Sequence, residues 1–287
     1  MRPIPDLRDR GRVRDFFRKY SDLSGVIHFA ASKAVGESVE EPLLYYENNL
    51  TTLVSLLQEL EKKEKAHFIF SSSCTVYGQA DTMPITEDAP VKLAESPYGN
   101  TKQIGEEIIR DTCKVRGHLQ AIALRYFNPI GAHPSARIGE LPLGVPQNLV
   151  PFITQTAVGI REQLSVFGDD YPTPDGTGVR DYIHVEDLAS AHLKALDYLR
   201  AGGDSITLNC GYGHGYSVRE VLDAVAHVNG EPLVIEEGPR RAGDPPTLIA
   251  RADRVRSILD WTPEYDDLET IVTHSLAWER KLASTSS

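Results

Sequence analysis

Short apolar runs alternate along the first half of this chain with longer stretches whose apolar residues recur at helical spacing. Residues 25–31, GVIHFAA, have the length of a buried strand. Leu50, Leu53, Val54, Leu57 and Leu60 follow at the three- and four-residue steps of one helix face, up to a charged stretch at 61–65. His67 to Phe70 form a second apolar run that ends in Ser71, Ser72 and Ser73, and residues 121–127, AIALRYF, form a third. Between them Ser96 and Pro97 open a helix, because serine caps a helix N-terminus and proline suits the first turn. Strand, helix, strand, helix, strand, with strands apolar throughout, predicts a parallel doubly wound α/β sheet covered on both faces.

Residues 128–147 are rich in Gly and Pro and read as the passage to a second region. There the pattern predicts helices from about Val150, Val185 and Ser217, a loop over 169–178 and a strand over 206–209. Ser217 and Glu220 have the spacing of a capping box.

In a doubly wound sheet, ligands sit beyond the carboxyl ends of the strands. Ala30, Ala31, Ser71 to Ser73 and Asn128 fall there. The stretch SPYGNTK adds chemistry, since Tyr98 and Lys102 lie one turn apart on one helix face. An ammonium beside a phenol favours the phenolate, so the Tyr98 pKa is expected to fall from about 10 toward working pH, as a general base requires.

Composition narrows the partners. The chain has 287 residues, 41% of them hydrophobic, and a net charge of −11 at pH 7. That charge argues against a nucleic-acid backbone or an anionic membrane as partner, and it means that local arginines must hold any anionic ligand. Nowhere does an apolar run approach the roughly 18 residues of a spanning helix. Cys74, Cys113 and Cys210 lack C-x-x-C spacing and cannot all pair, which fits a reducing, cytoplasmic setting. Asp6, Asp9 and Asp15 interleave with the arginines of the first segment and speak against a transit peptide. No histidine shows a metal-ligand spacing, so no metal is expected. Asn49-Leu50-Thr51 matches a glycosylation sequon by coincidence, within a helical pattern.

HFAASKAVGES, FSSSCTVYG, SPYGNTK, LRYFNPIGAH, GVRDYIHVEDLA and RRAGD occur in this order from His28 to Asp244. Together they resemble the extended short-chain dehydrogenase/reductase family, and within it the enzymes that epimerise UDP-hexoses at C4. The resemblance implies a Rossmann-type sheet that binds NAD, a smaller α/β domain that binds the UDP-sugar, and a homodimer joined through helices such as those at Leu50 to Leu60 and after Tyr98. It places the NAD domain at 1–128 with a return at 179–205, and the sugar domain at 129–178 and 206–287. The family opens with a strand, a G-x-x-G-x-x-G turn and a helix that hold the NAD pyrophosphate. This sequence carries no such turn, so at least one βαβ unit of the pattern, roughly 30 residues, is expected to be missing and the sheet to expose a hydrophobic edge. An inactive relative that still binds UDP-sugar, and another NAD-dependent enzyme of nucleotide sugars, remain alternatives.

Residue by residue, the resemblance makes Tyr98 the acid/base, Lys102 the residue that binds the nicotinamide ribose and lowers the tyrosine pKa, and Ser73 the hydrogen-bond partner of the sugar hydroxyl. Asp6 and Leu7 match a pair that contacts adenine. Phe29, Ala30, Ala31, Lys33, Asn48, Ser71 and Tyr126 match positions around the cofactor, although Lys33 could be a solvated loop residue, Asn48 a helix cap, and Ser71 a polar strand end. Phe127, Asn128, Asn148, Arg180, Arg241 and Asp244 match the substrate side and imply UDP-glucose and UDP-galactose as ligands. Either arginine could instead pair with Asp181 or Asp244. Sugar nucleotide dehydratases of this family carry an acidic pair after the serine position; here Cys74 and Thr75 follow Ser73, which disfavours elimination. Leu248, intermediate in size at a position that gates N-acetylated sugars, leaves UDP-N-acetylglucosamine open.

Overall fold

The computed structural model describes residues 6–142, 144–240 and 244–285. In chain order it has α1 (Arg10–Lys19), β1 (Gly25–His28), α2 (Val35–Glu40), α3 (Pro42–Leu60), β2 (Ala66–Ser73), a 3-10 turn over Cys74–Tyr77, α4 (Pro97–Val115) and β3 (Leu119–Tyr126). Then follow β4 (Asn128–Ile130), α5 (Leu149–Ala157), β5 (Leu164–Phe167), β6 (Val179–Arg180), β7 (Tyr182–His184), α6 (Val185–Arg200) and β8 (Ile206–Cys210). The chain ends with β9 (Tyr216–Ser217), α7 (Val218–Asn229), β10 (Ile235–Gly238), β11 (Thr247–Leu248), α8 (Asp253–Leu259) and α9 (Leu268–Thr285).

Two compact units divide these elements. The first takes the chain up to Ala80, then Glu87–Tyr126 and His192–Asn209; the second takes Asp81–Thr86, Phe127–Ala191 and the rest from Cys210. The sequence had put the return at 179–205, whereas the chain re-enters the first unit in the middle of α6, at His192. A helix gives no compositional signal when it changes unit partway along.

In the first unit a four-stranded sheet runs in the order β1-β2-β3-β8, and β2 pairs in parallel with β1 and with β3 from Ala66↔Leu119 to Ser73↔Tyr126. This is the α/β architecture expected from the pattern. Central strand β2 is buried over Ala66 to Phe70, which is why its sequence is almost continuously apolar. Phe68 and Phe70 join Leu53, Leu56, Leu57 and Leu60 of α3, Ile109 of α4, and Val13 and Phe17 of α1 in one core. Helix α1 has no counterpart among the sequence-predicted elements. Its charged composition hides a two-residue stripe, Val13 and Phe17, and Asp9 caps it by accepting from the Arg12 N–H at 3.1 Å. At the sheet edge, β1 has only β2 as neighbour among the described residues, and Val26 and Ile27 are partly buried there.

The second unit is built from small sheets and helices. Parallel pairs β4·β7 and β5·β10 and the three-stranded order β11-β6-β9 pack with α5, α7 and α9. The capping box at Ser217 and Glu220 forms as the sequence predicts. Asp181 organises the unit: its carboxylate accepts from the N–H groups of Tyr212 at 2.8 Å, Gly213 at 3.0 Å and Ala250 at 3.1 Å. Asp187 does the same for Glu264 and Tyr265, at 2.8 and 2.9 Å, and accepts from the Tyr212 hydroxyl.

Close packing between α4 and β2 requires Gly105. A Cβ there would stand 2.8 Å from the Phe70 ring and 3.3 Å from Leu53. Replacing Gly105 by Val is expected to lower the unfolding free energy by about 1–3 kcal/mol, read from urea denaturation; an unchanged midpoint would mean that the helix can lift without cost.

Candidate active site

Strand β2 ends in three serines, and α4 begins beside them. Ser96 caps α4 by accepting from the Gly99 N–H at 3.1 Å, with Pro97 in the first turn, so Tyr98 enters the site from a fixed helix start. Tyr98, Lys102 and Glu106 then recur every four residues along one face. Each meets one serine. The Tyr98 phenol is hydrogen-bonded to Ser73. Lys102 Nζ donates to the Ser71 carbonyl at 2.7 Å, and Ser72 Oγ donates to Glu106 at 2.5 Å. Glu106 in turn is clamped by Arg125 of β3, with N···O distances of 2.9 and 2.6 Å.

The electrostatics correct one expectation. Burial pushes the Tyr98 pKa up to about 12, partly opposed by the hydrogen bond with Ser73. It is not lowered by the lysine alone, because burial also strips water from the ammonium and depresses Lys102 to about 8. Lys102 Nζ lies 5.7 Å from the Tyr98 ring centroid and 5.0 Å from that of Phe70. Beneath it, burial and the Lys102 charge lower His28 to about 4, so this imidazole is neutral at working pH.

Around this centre the expected cofactor residues take varied positions. Phe29 is 58% exposed just past β1 and packs on the His192 ring; Ala30 and Lys33 are exposed and Ala31 is partly so. Tyr126 hydrogen-bonds His192 Nε2 through its hydroxyl. Asn48 lies inside α3 and not at its start, so it is no cap; its amide donates to Ser32 Oγ at 2.9 Å. Leu7 packs against the hydrophobic core, while Asp6 is tied to Arg8 at the surface, which holds its carboxyl at about 2. Three residues escaped the sequence reading. Asn49, the sequon residue, is buried and fixes the loop after β1 by accepting from the Ser32 N–H at 2.8 Å and donating to Ser32 O and Thr101. His192 and Glu106 carry no local sequence signal, and only their long-range partners reveal them.

In the second unit Phe127 is buried and Asn128 has a buried, unpartnered Oδ1. Asn148 stands at the α5 start without capping it, and donates to Glu140 at 3.0 Å. Arg180 is ion-paired with Asp244, one of the two carboxylates the sequence offered it, while Asp181 is engaged by backbone amides. Leu248 lies opposite Arg180 in the β11·β6 register. Arg241 lies outside the described residues.

An ammonium has three N–H donors; one is spent on Ser71, which leaves Lys102 able to bind vicinal hydroxyls such as those of a ribose. With exposed Phe29 and Ala30 at the neighbouring strand end, these residues fit the nicotinamide-ribose part of a dinucleotide. A parallel sheet with a serine at one strand end and a Tyr-x-x-x-Lys stripe on the next helix defines the short-chain dehydrogenase/reductase class. The sequence matches the family model described as GDP-mannose 4,6 dehydratase over residues 4–274. It is 48% identical to the UDP-glucose 4-epimerase of Bacillus subtilis over 274 residues, 96% of this chain and 80% of that one. Among solved structures, the UDP-glucose-4-epimerase of Stenotrophomonas maltophila with bound NAD and formylated UDP-arabinopyranose superposes with a TM-score of 0.94 at 43% identity, covering 98% of this chain and 83% of that one. That of Bifidobacterium longum, in complex with NAD+ and UDP, gives 0.90 at 42%, covering 97% and 82%. The chain belongs to the UDP-glucose 4-epimerase family of extended short-chain dehydrogenases/reductases.

Without ligand, Tyr98 is a phenol throughout the neutral range. The tyrosinate absorption difference between the native chain and Tyr98→Phe is expected to be flat up to about pH 9; a difference that rises near pH 7 would reverse this account.

Proposed function

We propose that this chain is the catalytic polypeptide of an NAD-dependent UDP-hexose 4-epimerase that interconverts UDP-glucose and UDP-galactose. The observation that carries the reading is the alignment of Ser73, Tyr98 and Lys102 at the carboxyl end of β2, in a chain 48% identical to a UDP-glucose 4-epimerase. The chemistry that bound NAD supplies is a reversible hydride acceptor at sugar C4 and, in its oxidised form, a positive charge near the phenol. Tyr98 removes the proton from the C4 hydroxyl and gives it back. Ser73, already hydrogen-bonded to the phenol, holds the sugar oxygen in line. Lys102 binds the nicotinamide ribose and adds to the positive charge that offsets burial of the phenolate. No carboxylate follows Ser73, so the sugar is not dehydrated.

Asp6, Leu7, Phe29, Ala30, Ala31, Lys33, Asn48, Ser71 and Tyr126 complete the NAD side of this proposal. Phe127, Asn128, Asn148, Arg180, Arg241 and Asp244 form the UDP-sugar side. Arg180 reaches a diphosphate by exchanging Asp244 for it, and the guanidinium supplies the charge that a chain of net −11 otherwise lacks. Dimerisation through α3 and α4 is part of the same reading, supported by Leu43 and Leu44 at the α3 start, 81% and 41% exposed. Cytoplasmic placement goes with three free thiols.

Denaturing the purified chain and weighing released NAD against protein tests cofactor retention directly, since the G-x-x-G-x-x-G turn is not among these residues. Near-stoichiometric NAD, UDP-galactose turnover, and a Tyr98→Phe variant slower by about 10²–10⁴-fold are expected. Turnover in Tyr98→Phe near the native rate would overturn the assignment of the base.

A further inference from the structure

Glu106 has no place in the Ser, Tyr and Lys set, yet it lies on the same helix stripe and is as deeply committed. Its side chain is 10% exposed and that of Arg125 is 6% exposed. Both carboxylate oxygens are used by Arg125, and one also accepts from Ser72. Ser72 shares a β2 face with Phe68 and Phe70, and that face packs α4. The Ser72–Glu106–Arg125 link therefore ties α4 to two neighbouring strands, one turn beyond Lys102. Arg125 stacks over the Tyr77 ring at 4.6 Å, and the Tyr77 hydroxyl donates to Asn209 of β8 at 2.6 Å, which anchors the guanidinium from the other side.

We propose that the Glu106–Arg125 pair is a positioning device for the catalytic face of α4: it fixes the helix roll over β2 and supplies the negative charge that keeps Lys102 an ammonium ion. The second part rests on what surrounds Lys102. From β1 it faces His28, which is neutral. From its own helix it faces the Tyr98 phenol and Glu106. The neighbouring Tyr45 of α3 is also a phenol, donating to Glu37 of α2 at 2.6 Å. Arg125 of β3 adds positive charge but is held against Glu106. Burial favours the neutral amine, and Glu106 is the carboxylate that opposes it. A neutral amine would have one N–H donor fewer for a ribose and no charge to stabilise the phenolate. The role in catalysis rests on the epimerase reading; the effect on the Lys102 charge does not.

The test separates the two. With ¹³C label at the lysine ε-carbons, and the Lys102 signal identified by its loss in Lys102→Met, the native chain is expected to titrate near pH 8. Glu106→Gln keeps the size and the acceptor for Ser72 but removes the charge, and should move that midpoint down by on the order of one pH unit. Arg125→Gln leaves the carboxylate unpaired and should move it up, an opposition that loosened packing does not produce. Glu106→Asp, with the carboxylate drawn back by one methylene, should fall between native and Gln. A native midpoint in folded Glu106→Gln, or in Glu106→Asp if the Gln variant does not fold, overturns the proposal. In the active enzyme the alkaline limb of kcat should shift with the Lys102 midpoint; absence of turnover in the native chain would count against the epimerase reading and leave the titration result standing.

Discussion

The rest of the first unit depends on how one helix is seated on one strand. A strand advances about 3.3 Å per residue and a helix about 5.4 Å per turn, so three successive residues of β2 can serve three successive turns of α4 only at close range. Gly105 provides that range by letting the Phe70 ring lie against the helix backbone. Ser73, Ser71 and Ser72 then satisfy Tyr98, Lys102 and Glu106 in turn. The same apolar contact that stabilises the core sets the geometry of the polar one.

This seating explains why the site holds charge in a dry place. A buried ion pair contributes little net stability, but removing one partner costs about 3–5 kcal/mol because the other is left uncompensated. Glu106 and Arg125 are such a pair, and their value lies in fixing where α4 sits. In the second unit Asp181 plays a comparable part through backbone amides. Three backbone N–H groups hold its carboxylate, and burial still raises its pKa to about 6.

Much of this could be read from the sequence, and the misses share a cause. The three apolar runs, the Ser96-Pro97 helix start and the Ser217 capping box are local signals, and each appears near where the pattern put it, although the first strand stops at His28 and leaves Phe29 to Ala31 outside it. Helix α1 escaped because arginines dominate its composition and only Val13 and Phe17 face the core. Glu106 and Arg125 carry no local signal that marks them as buried; each is intelligible only through the other, 19 positions away in sequence. The Tyr98 pKa was expected to fall because spacing reveals a neighbouring lysine. Spacing does not reveal desolvation, which is the larger effect here.

That reversal bears on how such a site can work. A phenol held near 12 and an ammonium held near 8 are both displaced toward their neutral forms by burial, which Glu106 opposes only in part at Lys102. Each ion would stabilise the other, yet the cost of drying both exceeds what the pair returns by itself. A resting site of this kind keeps its base protonated and unreactive. Positive charge brought in with a ligand tips Tyr98 toward phenolate, and the Glu106 carboxylate keeps Lys102 from yielding its proton in response. Reactivity is thereby tied to occupancy through electrostatics.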